Sequence, residues 1–400
     1  MTTESNSLLS SNFKYILLSK GCRVFVFGMA SIMTPIYLAY LGYSPLLIGL
    51  SLAFMIGGNI ISNVTLLWFE SYIGRKTSLL LFSILMLLAG LLLYLTTNFF
   101  LMMLAFFISN MSTTGTEAGP FQSVEVGILP RVVSANRRNS AFGLYNLIGY
   151  SASSVGAFAA SLPGYFGDNF IVFHIMYLFY GLAGFLIMLV YLRLGDIETN
   201  RTTMNRKSLF DISEKGRYNI TKLSTLFAID AFGGGLVSQA LLSYWFFFVY
   251  GVSLKDLGLI FLVANIISAL SMILASYIAE RVGNLRTMVF THITSNLFLI
   301  LIPLAGTLSG SVSFLFLRQT TSQMDVPTRQ AFMMGIFDDK ERVPANAITN
   351  TSRIVSSIFG SPITGELLSL GFVSAPLILA GMTKILYDAL IYQSYRKTQT

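Results

Sequence analysis

Twelve apolar stretches of bilayer-crossing length follow one another along this chain, and they leave few folds open to it. They cover about 14–40, 46–69, 77–97, 99–128, 140–162, 170–192, 221–250, 256–279, 287–307, 311–336, 344–366 and 371–393. A helix needs about 20 apolar residues to cross the hydrocarbon. Only 11% of the residues are charged and 54% are hydrophobic, against about 25% charged in soluble domains. The expectation is an all-α membrane protein. The first run is too long for a signal peptide and carries Lys20 and Arg23, so it is expected to be retained. With a single cysteine, Cys22, no internal disulfide can form.

The formal net charge of +8 does not point to nucleic acid, because of where the cations lie. Nineteen of the 26 Lys and Arg fall in the tails and even-numbered connections, and only Lys255 in an odd-numbered one. Positive loops stay cytoplasmic. Both termini are therefore expected inside, in the cytoplasmic membrane.

The informative residues are the charges inside the runs. In the tenth run, Arg318, Asp325 and Arg329 would fall within about 20° of one another on one helix. A charge at the bilayer centre costs roughly 2.5–3.5 kcal/mol, so it is kept against a partner or a wet cavity. Pro327 lacks an amide hydrogen and should free a carbonyl one turn back. The functional reading is a substrate or ion site, and the plainer one an Asp325–Arg329 ion pair. In the fourth run Asn110, Thr113 and Glu117 would form a polar stripe. Other charges within runs are Lys20, Arg23, Glu125, Asp230, Arg353, Glu366, Lys384 and Asp388. Lys384 and Asp388 read as an i,i+4 pair, and Lys20, Glu125 and Asp230 as a gate of salt bridges or part of a site. Arg353 is expected to meet a carbonyl or Asp325. His174 and His292 read as lying near run ends, away from any cavity. Gly233, Gly234 and Gly235 are either a hinge or a close helix contact, and the small residues of the fifth run suit close packing.

The chain also repeats itself. Leu41-Gly42-Tyr43-Ser44 through Gly49-Leu50 matches Tyr250-Gly251-Val252-Ser253 through Gly258-Leu259, 209 residues later, and the same offset carries Gly74 onto Gly283. Gln122 and Gly127 map onto Gln330 and Gly335 at 208, and Arg138, Ala141 and Asn146 onto Arg342, Ala345 and Asn350 at 204. The predicted organisation is a polar tail at 1–12, a six-helix bundle at 13–192, a cytoplasmic loop at 193–218, a second bundle at 219–394 and a tail at 395–400. Parallel repeats of this kind place the site near the midplane between the halves.

At this point the chain resembles the major facilitator superfamily. That family's loop motif is partly kept in two copies. Gly74-Arg75-Lys76 follows Leu67, Ser71 and Tyr72, with Glu70 beside the position of the missing acid. The second copy has Ser276, Glu280, Arg281, Gly283 and Arg286. Gly149 and Gly156 resemble the start of the antiporter signature, whose Gly-Pro is replaced by Ala160-Ser161. Glu-x-Gly-Pro-Phe-Gln beside Asp-x-Pro-x-Arg-Gln is similar to a prokaryotic subset of the family. The resemblance implies twelve transmembrane helices in two pseudo-symmetric six-helix bundles. It implies a cavity lined by runs 1, 4, 7 and 10, and loops at Glu70, Gly74, Arg75, Lys76, Glu280, Arg281 and Gly283 that help gate it.

Runs 1, 4, 7 and 10 hold eight of the twelve embedded charges, and their signs balance: Lys20, Arg23, Arg318 and Arg329 against Glu117, Glu125, Asp230 and Asp325. Protonating one carboxylate would free a cation for an anion. Asp325 is the first candidate for the coupling acid and Glu117 the second. Arg23, Lys20, Asn110, Asp230, Arg318, Arg329 and Arg353 are the cavity candidates. Two histidines and one cysteine are too few for a metal cluster. No Walker loop or nucleophile–base arrangement is present, so neither a pump, an enzyme nor a cofactor is expected. The expected function is secondary transport of a small polar or charged organic solute with protons, in monomeric form. The alternatives are a proton-driven exporter of drugs or toxic compounds, and a non-transporting sensor with a transporter fold.

Overall fold

The structure is a computed structural model that describes residues 10–116, 119–134, 137–167, 169–195, 212–338 and 341–396. Among the described residues the regular structure is helical, with no strand. In chain order the helices are α1 (Ser11–Tyr40), α2 (Pro45–Ile73), α3 (Arg75–Leu95), α4 (Phe99–Ile108), α5 (Pro120–Val132), α6 (Arg138–Ala159), α7 (Leu162–Tyr165) and α8 (Phe170–Leu192). There follow α9 (Glu214–Leu236), α10 (Gln239–Tyr250), α11 (Leu254–Val282), α12 (Asn284–Leu304), α13 (Leu308–Ser322), α14 (Asp325–Ile336), α15 (Arg342–Ile358), α16 (Gly360–Ser369) and α17 (Ala375–Tyr395). Among the described residues, eight helical segments are long and apolar enough to cross a membrane, α9 and α10 counting as one. The fourth, tenth and eleventh runs are each built from two shorter helices. Large apolar side chains stay exposed, as on Phe100 (79%), Ile273 (68%) and Leu270 (62%), which suits a surface solvated by lipid.

The helices form two compact units. The first holds the described residues within Met1–Tyr43, Ser51–Thr202 and Phe246–Leu262, the second those within Ser44–Leu50, Thr203–Trp245 and Val263–Thr400. In the first, α1 packs on α6 and α3 on α8; in the second, α9 packs on α15 and α17, and α12 on α13, α14 and α17. The small residues of the fifth run do lie at a close contact. A Cβ on Gly156 would stand 1.9 Å from the Phe25 carbonyl oxygen, and one on Gly28 2.4 Å from that of Ser153. Without a hydrophobic force between helices in lipid, such close approach is what holds them together.

The repeat is visible in the backbone. Gly74 and Gly283, 209 residues apart, precede α3 and α12 with φ of 83° and 90°. That region is open to glycine and costly for other residues. In both copies the side chain four residues on closes the turn: Ser78 Oγ donates to the Gly74 carbonyl at 2.8 Å, and Thr287 Oγ to that of Gly283 at 2.9 Å.

Several runs are broken where continuous helices were predicted. α4 ends at Ile108, Asn110 takes a φ of 56°, and the chain stays non-helical through Thr116. The polar stripe predicted over Asn110, Thr113 and Glu117 is therefore not on a helix, and Glu117 lies outside the described residues. Three carbonyls of the unwound stretch are met by side chains from three helices. Tyr180 Oη donates to Ser109 at 2.5 Å, Asn59 Nδ2 to Met111 at 2.7 Å and Ser153 Oγ to Gly115 at 2.7 Å. Irregular backbone at membrane depth persists only when satisfied in this way. The tenth run breaks between Ser322 and Asp325, so the predicted common face of Arg318, Asp325 and Arg329 on one helix does not exist. Pro327 falls in the first turn of α14, where its missing N–H has no intrahelical role. The Gln323 carbonyl accepts instead from Val326 N–H at 3.3 Å. The glycine run ends α9 at a close contact, since a Cβ on Gly235 would stand 2.2 Å from the Ser357 carbonyl oxygen.

Candidate functional site

Each unit holds one buried charged network. In the first, Arg23 on α1 and Glu125 on α5 are both 0% exposed and bond at 2.6 Å through Nη2 and Oε2. Tyr145 on α6 donates to Glu125 Oε2 at 2.8 Å, and Tyr191 on α8 to Oε1 at 2.7 Å. Arg23 Nη1 reaches Tyr191 Oη at 2.8 Å and Ser19 Oγ at 3.0 Å. Phe121 lies against the guanidinium, 4.5 Å from ring centroid to Cζ. Removing two ions from water costs several kcal/mol each, which is recovered only when the remaining donors and acceptors are also satisfied. Lys20 extends over Gly149 and sits 4.3 Å from the Tyr145 ring.

In the second unit, four helices bring charges to Asp230, which lies on α9. Lys384 Nζ on α17 reaches Asp230 Oδ1 at 2.7 Å. Arg353 on α15 and Arg329 on α14 lie 3.5 and 3.7 Å from Oδ2. His292 Nε2 on α12 lies 3.7 Å from Oδ1. Arg329 also bonds Asp325, one turn before it. The other nitrogen of His292, Nδ1, faces both oxygens of Asp388 at 2.9 and 3.0 Å. Arg329 and Arg353 flank the Phe227 ring at 5.8 and 6.0 Å. Arg318, on the far side of the helix break, bonds the Gln319 side chain at 3.3 Å and leaves a buried Nε without a hydrogen bond.

Asp230, Asp325, Arg329 and Arg353 are thus brought together, as are Arg23 and Glu125. Two sequence readings are corrected. Lys384 and Asp388 do not form an i,i+4 pair: Lys384 turns to Asp230 and Asp388 to His292. His292, five residues into its run, stands within the network, 5% exposed. Arg353 meets Asp230 rather than Asp325. His174, by contrast, is tied between Tyr37 Oη at 2.8 Å and the Tyr94 carbonyl at 2.7 Å, a local brace. Asn110 is buried, with Oδ1 unpartnered.

The loop copies differ. Glu70 engages Arg75 at 2.7 Å, supplying the acid that Ser71 does not. Lys76 Nζ binds the Leu192 and Leu194 carbonyls at 2.9 and 2.6 Å, capping the end of α8. In the second copy Arg281 bonds Tyr277, and Glu280 lines a hollow with Asn284, Pro327 and Thr328.

A sequence model of the Major Facilitator Superfamily matches residues 16–324. The chain belongs to that superfamily. It is accordingly a multi-pass membrane protein and a secondary transporter, not an enzyme. Among solved superfamily folds, the nucleoside transporter NupG superposes with a TM-score of 0.76 at 11% identity, over 94% of this chain and 98% of that one. A D-xylose-proton symporter gives 0.75 at 14% identity, over 95% and 97%. A POT family transporter in complex with 5-aminolevulinic acid gives 0.76 at 14%, over 99% of each. An uncharacterized membrane protein of Saccharomyces cerevisiae is 23% identical over 96% of this chain and 93% of its own length. That relative is eukaryotic, and lends nothing to a prokaryotic placement.

Proposed function

We propose that the protein moves a small polar or charged organic solute across the cytoplasmic membrane by alternating access, coupled to protons. In this reading it has twelve crossing helices, in bundles over 13–192 and 219–394, with both termini cytoplasmic, and works as a monomer. One observation supports the reading above the rest: Asp230 is shared by Lys384, Arg329 and Arg353 while Asp325 competes for Arg329. The three carboxylates Asp230, Asp325 and Asp388 balance Arg329, Arg353 and Lys384. Protonating Asp325 would leave Arg329 available to an anionic group on the solute. Glu117 is the second candidate acid, Lys20, Arg23, Asn110 and Arg318 complete the proposed cavity set, and the two loop copies form the proposed gate. A polar lining of this kind favours a charged metabolite over an apolar drug.

The test is flux in proteoliposomes of the purified protein under a pH gradient of either sign, with pools of labelled organic acids and neutral metabolites. Wild type should move a solute with the gradient, whereas Asp325→Asn should only equilibrate it. If both respond equally to the gradient, Asp325 is not the coupling acid and Glu117 is tested in its place. If wild type moves nothing from either pool, the sensor alternative replaces transport.

A further inference from the structure

The network contains a titratable imidazole that the reading above does not use. His292 lies midway along α12, between two carboxylates on different helices. Its Nδ1 stands at hydrogen-bond distance from both Asp388 oxygens, while Nε2 is 3.7 Å from Asp230 Oδ1, too far for a good hydrogen bond. An ionised carboxylate only accepts. The neutral ring is therefore assigned the tautomer with its proton on Nδ1, donated to Asp388, and with the Nε2 lone pair turned toward Asp230. A second proton would go to Nε2, and the new N–H would face Asp230.

The groups around the ring are few. From α17 come Asp388, Lys384 and Tyr387, whose ring stands edge-on to the imidazole at 6.0 Å between centroids. α9 brings Asp230, α14 brings Asp325 and Arg329, and α15 brings Arg353. α13, also packed on α12, carries one charged residue, Arg318. With the ring neutral, Asp230, Asp325 and Asp388 balance Arg329, Arg353 and Lys384. With the ring protonated, the same set carries one surplus positive charge, and Asp230 has a fourth cation to share. Arg353 and Arg329 both stand off from Asp230, at 3.5 and 3.7 Å, but Arg329 is also held by Asp325, and the Arg353 side chain is 28% exposed against 10% for Lys384 and Arg329. Arg353 is the partner most easily given up.

We propose that His292 is a proton-binding site of the second unit, positioned by Asp388, and that its protonation loosens Arg353 from Asp230 so that Arg353 can meet an oxyanion of the solute. The inference rests on the transport reading for the solute, but not for the proton. It places a second proton site beside Asp325, and coupled flux needs both.

The chain has two histidines, so nitrogen-15 NMR of histidine-labelled protein in nanodiscs gives two sets of ring signals. His174→Gln assigns them by loss; if that variant does not fold, His292→Gln assigns them from the other side. As the pH is lowered across the range the protein tolerates, His292 should pass from the Nδ1–H tautomer to the doubly protonated ring. Asp388→Asn should lower its proton affinity about tenfold or more, as expected for a carboxylate at hydrogen-bond distance. Arg353→Gln, which removes a nearby like charge, should raise the affinity severalfold. A ring fixed in one form over that range, or a midpoint unmoved by Asp388→Asn, overturns the proton site. A midpoint unmoved by Arg353→Gln overturns the link to Arg353. No solute is present in this measurement. A titrating His292 in a protein that moves nothing thus refutes transport alone, and a transporting protein with a silent His292 refutes this inference alone.

Discussion

Replacing Glu125 by Gln keeps the side chain's shape and removes its charge, which isolates what the ion pair does in the first unit. Arg23 would keep its tyrosine and serine contacts but lose its counter-ion at a position that is 0% exposed. The new amide nitrogen can only donate, yet the groups aimed at the carboxylate oxygens, from Arg23, Tyr145 and Tyr191, are themselves donors. Removing one partner of a buried pair costs about 3–5 kcal/mol. At roughly 2–4 °C per kcal/mol for units of this size, the unfolding midpoint should fall by about 6–20 °C. The assay is fluorescence-monitored thermal unfolding in detergent, at one scan rate because such transitions are kinetically controlled. Arg23→Leu/Glu125→Gln should recover at least about half of the loss, since no unpaired charge remains. Glu70→Gln breaks a pair whose side chains are 20 and 30% exposed, and should shift the midpoint by no more than about 2 °C. A Glu125→Gln protein as stable as the Glu70→Gln one, or a double variant no better than the single, would refute the argument that Arg23 depends on Glu125.

Two backbone predictions follow from the repeat and the helix contacts. Gly283→Ala places a Cβ at φ 90° and should cost about 1–2 kcal/mol in the same unfolding assay, with Gly74→Ala, at φ 83°, costing about as much; equal stability to wild type in both would show the turn to be relaxed. Gly235→Ala puts a carbon 2.2 Å from the Ser357 oxygen, so α9 must move off α15 at about 1–3 kcal/mol or more, and a variant with unchanged stability would mean that this contact yields freely.

How much of this was legible in the sequence depended on the kind of signal. The sixth run was legible because hydropathy is local: it and α8 share the bounds 170–192. The duplication was legible because the glycines at 42, 74, 251 and 283 do a backbone job that no other residue does as cheaply. The breaks were not legible. Asn110 adopts its φ because Tyr180, Asn59 and Ser153 satisfy the carbonyls around it, and these partners lie 38 to 71 residues from the groups they bind. An angle computed along an unbroken helix fails once such a break intervenes, as between Arg318 and Asp325. Lys384 and Asp388 showed the right spacing for each other, but stronger partners on α9 and α12 took both. His292 left no mark on hydropathy, and only Asp230 and Asp388, from helices far away in sequence, give it a role.

The unwound stretch 109–116 also limits how the first unit can move. Three of its carbonyls are bound by side chains of α2, α6 and α8, one bond from each. No one of these helices can slide along its neighbours without breaking a hydrogen bond to this stretch. Sliding one helix alone therefore costs a bond at this junction, whereas turning the three together costs none. At this junction the three helices are tied into one another's motion.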